Sequence, residues 1–178
     1  MCGILYKIRD CLTTEAMLSI YYTLCYPHMI YCVSIWACTW PSFLNRMKVI
    51  QNKILRCIFY LKKFDSTANI YIDNRILNFN SVHKYFLLLT IYKQITNTNR
   101  HSVFYLSETI RSTRYNQINL VCPPYRTTLF KNCLYYFGPC LWNSLPLDIK
   151  TLVISRNVPL FKNQLKCYLL NIQHSQLL

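Results

Sequence analysis

The chain has 178 residues, 53% of them hydrophobic, with fifteen Tyr, nine Phe and three Trp. That is enough apolar material for the core of one domain or two small subdomains, and it excludes intrinsic disorder. Twenty Lys and Arg against six Asp and Glu leave a net charge of +14, which favours a polyanionic partner, either nucleic acid or an anionic membrane surface.

Ile4, Leu5, Ile8 and Leu12 recur at helical spacing, and Thr13 or Thr14 is placed to cap the next helix, with Glu15 in its first turn. From Ala16 to Leu44 no Asp, Glu, Lys or Arg occurs. About 20 apolar residues suffice to cross a bilayer, so a membrane anchor over 16–38 has to be weighed. Pro27 and His28 interrupt the run, and Tyr21, Tyr22, Tyr26 and Tyr31 spread hydroxyls through it rather than at its ends. The sequence therefore predicts a buried helix, kinked or broken near Pro27.

Trp40-Pro41 marks a boundary, with Ser42 as the expected N-cap. Beyond it Phe43, Met47, Ile50, Ile54, Ile58 and Leu61 fall within about 100° of one another on a helix. Arg46, Lys48, Lys53, Arg56 and Lys63 take the remaining arc, and no carboxylate lies between Glu15 and Asp65. Two readings stay open for that arc, a solvated face over a core helix and a face that tracks phosphates. Residues 62–80 are polar and are expected to connect rather than pack. A helix resumes near Ser81, with Val82, Tyr85, Phe86, Leu89 and Tyr92 as its apolar stripe.

Residues 97–128 are rich in Asn, Thr, Ser and Arg, with a Pro123-Pro124 pair that favours extended chain. Short strands are expected at 103–106 and 118–121. Gly138-Pro139 reads as a turn after the aromatic run Leu134–Phe137, which is expected to pack. Trp142 and Leu145, one turn apart, should enter that core together. Asn157 with Pro159 starts a last helix, lined by Leu160, Phe161, Leu165, Tyr168 and Leu169.

The inventory for catalysis is thin. The six acids, at 10, 15, 65, 73, 108 and 148, form no pair at i+1, i+3 or i+4, whereas two-metal nucleotidyl transfer needs converging carboxylates. Two glycines, Gly3 and Gly138, cannot build a phosphate-binding loop. The ten cysteines include no Cys-x-x-Cys pair, and the four His do not fall at finger spacing. Free, buried thiols in a reducing compartment are expected, with no metal and no cofactor. No secretory signal is read, so an intracellular location, nucleus or cytoplasm, is expected.

Several segments carry a resemblance in order along the chain. They are Gly3–Arg9, the run Tyr21-Tyr22 through Tyr26-Pro27 to Tyr31 and Trp36, and Gln51-Asn52-Lys53-Ile54-Leu55-Arg56. Arg126-Thr127, Tyr136-Phe137-Gly138-Pro139, Leu141-Trp142-Asn143-Ser144-Leu145-Pro146 and Phe161-Lys162 through Tyr168-Leu169-Leu170 complete the set. Together they resemble the C-terminal end of jockey-type non-LTR retrotransposon reverse transcriptases, the thumb and the region after the polymerase. The resemblance implies a piece of an RNA-directed DNA polymerase that follows the catalytic palm. No position here matches the palm's aspartates, so no catalytic residue is carried over.

The expectation is a mainly α protein, with a thumb-like helical bundle over 1–98, a linker over 99–128 and a small C-terminal unit over 129–178. That unit would hold a turn-rich segment and a terminal helix. Its partners would be RNA or DNA backbone and the palm and fingers of the parent polyprotein, with no small-molecule substrate and no membrane. Lys48, Lys53, Arg56, Lys62 and Lys63 are the candidate phosphate contacts. Gly138, Pro139, Trp142, Pro146, Phe161 and Leu165 are expected to hold the C-terminal unit together. A structural remnant without activity and a membrane protein anchored by 16–38 are the alternatives.

Overall fold

The computed structural model describes residues 2–96, 104 and 119–177, and over these the chain is mainly α-helical, with no β-strand among them. The helices are α1 (Cys2–Ile8), α2 (Thr14–Ile20), α3 (Tyr26–Ile30), α4 (Val33–Trp36), α5 (Pro41–Ile58), α6 (Ala68–Asp73), α7 (Phe79–Thr96), α8 (Thr128–Asn132), α9 (Leu134–Asn143), α10 (Leu147–Ser155) and α11 (Val158–Leu177). The strand expected at 103–106 lies outside the described residues apart from Phe104, and the one expected at 118–121 is corrected, since residues 119–121 are irregular with an isolated bridge at Leu120. The chain forms two compact units. One comprises 1–33, 40–83 and 170–178, the other 34–39 and 84–169, so the division falls inside α4, α7 and α11.

In the first unit α2 is capped as expected, since the Thr13 side chain accepts from the Ala16 amide at 3.3 Å. The break expected at Pro27 takes a definite form. A π turn, Tyr21–Cys25, joins α2 to α3, and the Tyr26 amide donates to the Tyr21 carbonyl five residues back. Proline has no N–H and crowds the carbonyl four residues earlier, so one widened turn absorbs the misfit and the helix continues. No helix among the described residues is long and apolar enough to cross a membrane.

Leu5, Met17, Tyr21, Cys25, Ile54, Leu55, Ile58, Ile70, Tyr71 and Ile76 make this unit's core. Three sequence expectations are corrected here. Helix α5 starts at Pro41 with Trp40 as its cap, not at Ser42, since a proline suits the first helical position, where its missing N–H has no partner to lose. The buried stripe of α5 is rotated from the expected one: Phe43 is 51% and Ile50 42% exposed, while Gln51 is fully buried. Residues 62–80 do pack, because α6 places Ile70 and Tyr71 in the core and Ile76 and Leu77 follow them inward.

Two glutamines hold that region. Gln51 donates from Nε2 to the Tyr21 hydroxyl at 3.0 Å and to the Leu77 carbonyl at 2.9 Å. Gln173 donates to the Ile76 carbonyl at 3.1 Å and accepts from the Asn78 amide at 2.9 Å. Asn78 in turn caps α7, its Oδ1 accepting from the Ser81 amide at 2.9 Å, which puts the start of that helix at Phe79 rather than near Ser81.

Trp142, Phe161, Leu165 and Tyr92 are fully buried in the second unit. The Phe161 ring stacks on Tyr92 with centroids 4.0 Å apart and lies 6.2 Å from Trp142. Gly138 and Pro139 are not a turn. They sit inside α9, both buried. The glycine is needed for close approach, since a Cβ there would stand 3.0 Å from Cδ1 of Ile91. Lacking a Cβ, Gly138 also escapes the clash that disfavours helix before a proline. Pro146, as the cap residue of α10, is exposed. Within the aromatic run Tyr135 stays exposed, and Leu160 of α11 is exposed too. Asn157 starts α11 as expected, its Oδ1 accepting from the Leu160 amide at 3.1 Å.

Among the described residues, four other than glycine occupy the left-handed backbone region, Cys32, Tyr60, Arg75 and Arg156. Tyr60 and Arg75 follow the last turns of α5 and α6. There the Leu61 amide reaches back to Arg56 at 2.9 Å and the Ile76 amide to Tyr71 at 3.0 Å. This is the helix-ending motif that normally recruits glycine.

Trp142→Ala should destabilise the protein by about 3–5 kcal/mol, read as a shift of the urea midpoint, because it empties a fully buried indole site. Alkaline pH should act on both units. Burial pushes the Tyr21 and Tyr71 hydroxyls well above their usual value and lifts the Cys38 thiol to about 11. Each must stay neutral in the folded state but ionises at its ordinary pKa when unfolded. Their contribution is therefore complete below about pH 9 and is lost as pH rises through the raised values. Lys150 works the other way, since burial lowers its pKa. Three groups outweigh one, so denaturation midpoints should fall between pH 8.5 and 11.

Candidate nucleic-acid interface

The charged candidates all belong to the first unit and come from α5 and the turn after it. No Asp or Glu occurs in α5, which carries Arg46, Lys48, Lys53 and Arg56. Their positions differ. Lys53 is exposed, whereas Lys48 is half-buried. Five residues separate them, which places the two side chains about 140° apart round the helix. Lys48 thus leaves the face on which Lys53 stands.

Arg46 joins Lys53 instead. Seven residues apart, the two are nearly in line and separated by about 10 Å along the axis, and Arg46 is exposed beside the Phe43 ring at 5.4 Å. The spacing i, i+7 was the signal in the sequence, obscured because the apolar stripe was drawn through Phe43 and Ile50.

Arg56 is half-buried and donates from Nε to the Asp65 carbonyl at 3.0 Å. It therefore staples the turn that carries the next two candidates. Lys62 and Lys63 are both exposed on that turn, and Lys63 Nζ lies 5.5 Å from the centre of the Phe64 ring, itself 89% exposed. Asp65 shapes the turn, its carboxylate accepting from the Lys62 amide at 2.8 Å. That places one negative charge beside the cluster.

A further cation, Arg9, escaped the sequence reading. Its guanidinium lies 4.2 Å from the Tyr6 ring centre and 5.2 Å from that of Tyr60, and the Tyr60 hydroxyl donates to the Arg9 carbonyl. Asp10 accompanies it at 3.4 Å. Nothing in the spacing of residues 9 and 60 shows this, because it depends on the left-handed turn at Tyr60. The remaining residues singled out from sequence, Gly138, Pro139, Trp142, Phe161 and Leu165, are buried in the second unit and serve its packing.

Chemically, a set of exposed cations with one nearby carboxylate attracts anions. Lys53, Lys62, Lys63 and Arg46 present exposed cations, two of which, Arg46 and Lys63, stand beside aromatic rings. Among the described residues no three His, Cys, Asp or Glu side chains converge as a metal site would require. Protein-family models, curated proteins and solved structures compared with the chain yield no match.

Asp65→Asn should raise affinity for a polyanion severalfold at low salt, because it removes the one carboxylate beside the lysines while keeping an oxygen to cap the turn. Stability should change by less than about 1 kcal/mol. Paired titrations and melts of the variant and the parent chain measure both effects.

Proposed function

We propose that the chain is a nucleic-acid-binding portion of a mobile-element reverse transcriptase, the thumb and post-polymerase region, without polymerase activity of its own. The observation that carries the reading is the unbalanced charge of α5 and its following turn: four exposed cations and one neighbouring carboxylate. Helices shaped only for solubility mix signs, since Glu and Lys four residues apart stabilise a helix, and α5 has no acid with which to do so. The ordered resemblance to jockey-type elements supports the same reading from a separate direction, and the mainly helical fold suits a thumb.

In this reading the first unit grips sugar-phosphate backbone without reading bases. Lysine heads on the α5 face and the 62–63 turn neutralise phosphates, and counterion release supplies the affinity. Chemistry would come from a palm elsewhere in the parent polyprotein.

Three to four neutralised phosphates give a slope near −3 for log K against log salt on RNA–DNA hybrid or duplex DNA. Lys53→Ala and Lys62→Ala should each reduce that slope by about 1, whereas Lys48→Ala should leave it unchanged. Fluorescence anisotropy across 50–300 mM salt reads all of these. A flat salt dependence, or equal effects of Lys48 and Lys53, would overturn the proposal.

A further inference from the structure

The second unit brings two thiols together that the sequence keeps eighteen residues apart. Sγ of Cys140, on α9, lies 3.6 Å from Sγ of Cys122, in the helix-free stretch before α8. Cys122 is exposed and Cys140 half-buried. The expectation that the cysteines are simply buried is corrected at this point, since Cys11, Cys32, Cys122 and Cys167 all face solvent.

The two thiols are held in register on both sides. Asn143, one turn beyond Cys140, grips Leu120 with its side-chain amide, accepting from the Leu120 N–H and donating to its carbonyl, each at 2.9 Å. The same Nδ2 lies 3.5 Å from Cys122 Sγ. One turn before Cys140, the Tyr136 ring meets Tyr125 edge-on at 4.6 Å, and Lys131 Nζ stands 5.7 Å from the centre of Tyr125. Positions 136, 140 and 143 form one face of α9, and residues 125, 122 and 120 lie against them in turn, running in the opposite direction. Thiols fixed this way need little backbone movement to join.

We propose that Cys122 and Cys140 form a thiol–disulfide site that reacts with low-molecular-weight disulfides of the glutathione type. The exposed Cys122, as thiolate, attacks one sulfur of the oxidised reagent and displaces one reduced glutathione, leaving a mixed disulfide. Cys140, losing its proton to solvent, attacks Sγ of Cys122 and displaces the second glutathione, which takes up a proton. Two protein thiols are oxidised to one disulfide and one glutathione disulfide is reduced to two thiols. The product ties the 119–125 stretch covalently to α9. Burial and the neighbouring Cys140 push the Cys122 thiol up, so the pair resists dilute oxidants near neutral pH and reacts faster as pH rises.

The test equilibrates the full chain with defined ratios of oxidised to reduced glutathione at pH 8, traps free thiols with maleimide and maps the peptides by mass. A Cys122–Cys140 linkage should form at lower oxidant ratios than any other cysteine pair, and the oxidised chain should unfold at a higher urea midpoint than the reduced one. Cys140→Ser should accumulate a persistent glutathione adduct on Cys122. Cys122→Ser, at an exposed site where folding is not at stake, should abolish both the linkage and the stabilisation. Pairing spread evenly over the cysteines, or a stable adduct on Cys122 in the parent chain, would overturn the assignment.

Discussion

Chain that passes through a protein interior outside helix or sheet leaves backbone groups that something must satisfy, and both units meet that demand with buried side-chain amides. In the first, Gln51 and Gln173 between them engage Ile76, Leu77 and Asn78, the stretch joining α6 to α7. In the second, Asn143 closes on Leu120 from both sides, and the buried Lys150 ammonium donates to the Asn143 carbonyl at 2.7 Å and to Asn119 Oδ1 at 3.1 Å. An unmet buried amide or carbonyl costs about 1–3 kcal/mol, so these few side chains decide where the non-helical chain can run. Tyr21 and Tyr71 extend the arrangement, the latter donating to Asn52 at 2.7 Å.

This dependence marks what could be read in advance. Helix content, the caps at Thr13 and Asn157, the burial of Trp142 with Leu145 and the disturbance at Pro27 all follow from local rules, since each is decided within one or two turns. The polar residues that go inside do not. Gln51 sits among residues that read as a charged helix, and a stripe drawn through apolar residues alone passes it by and puts Phe43 and Ile50 inside. The error in the candidate interface had the same origin, because a stripe through Phe43 and Ile50 leaves Lys48 on the solvent arc, whereas the structure half-buries it. Gly138-Pro139 failed for a related reason. The pair is a turn signal locally, and only the approach of Ile91 makes helix the better answer.

The chain's shortage of carboxylates links its electrostatics to its packing. With few acids to neutralise cations, the protein uses neutral partners. Arg56 rests on a backbone carbonyl and Lys150 on two amide oxygens. Such contacts fix a cation in place without cancelling its charge.

The scarcity of glycine has a cost that selection must carry. Gly138 is committed to the approach of α9 to Ile91, so the helix endings at Cys32, Tyr60, Arg75 and Arg156 adopt a left-handed backbone with a side chain attached, a strain on the order of 1 kcal/mol each. Glycine would relieve it at any of them. At Arg75 and Arg156 that same change would also remove a positive charge. Stability and net positive charge therefore pull in opposite directions at these two positions. Glycine there would relax the backbone and lower the charge in one step, so neither property can be raised at these positions without giving up some of the other.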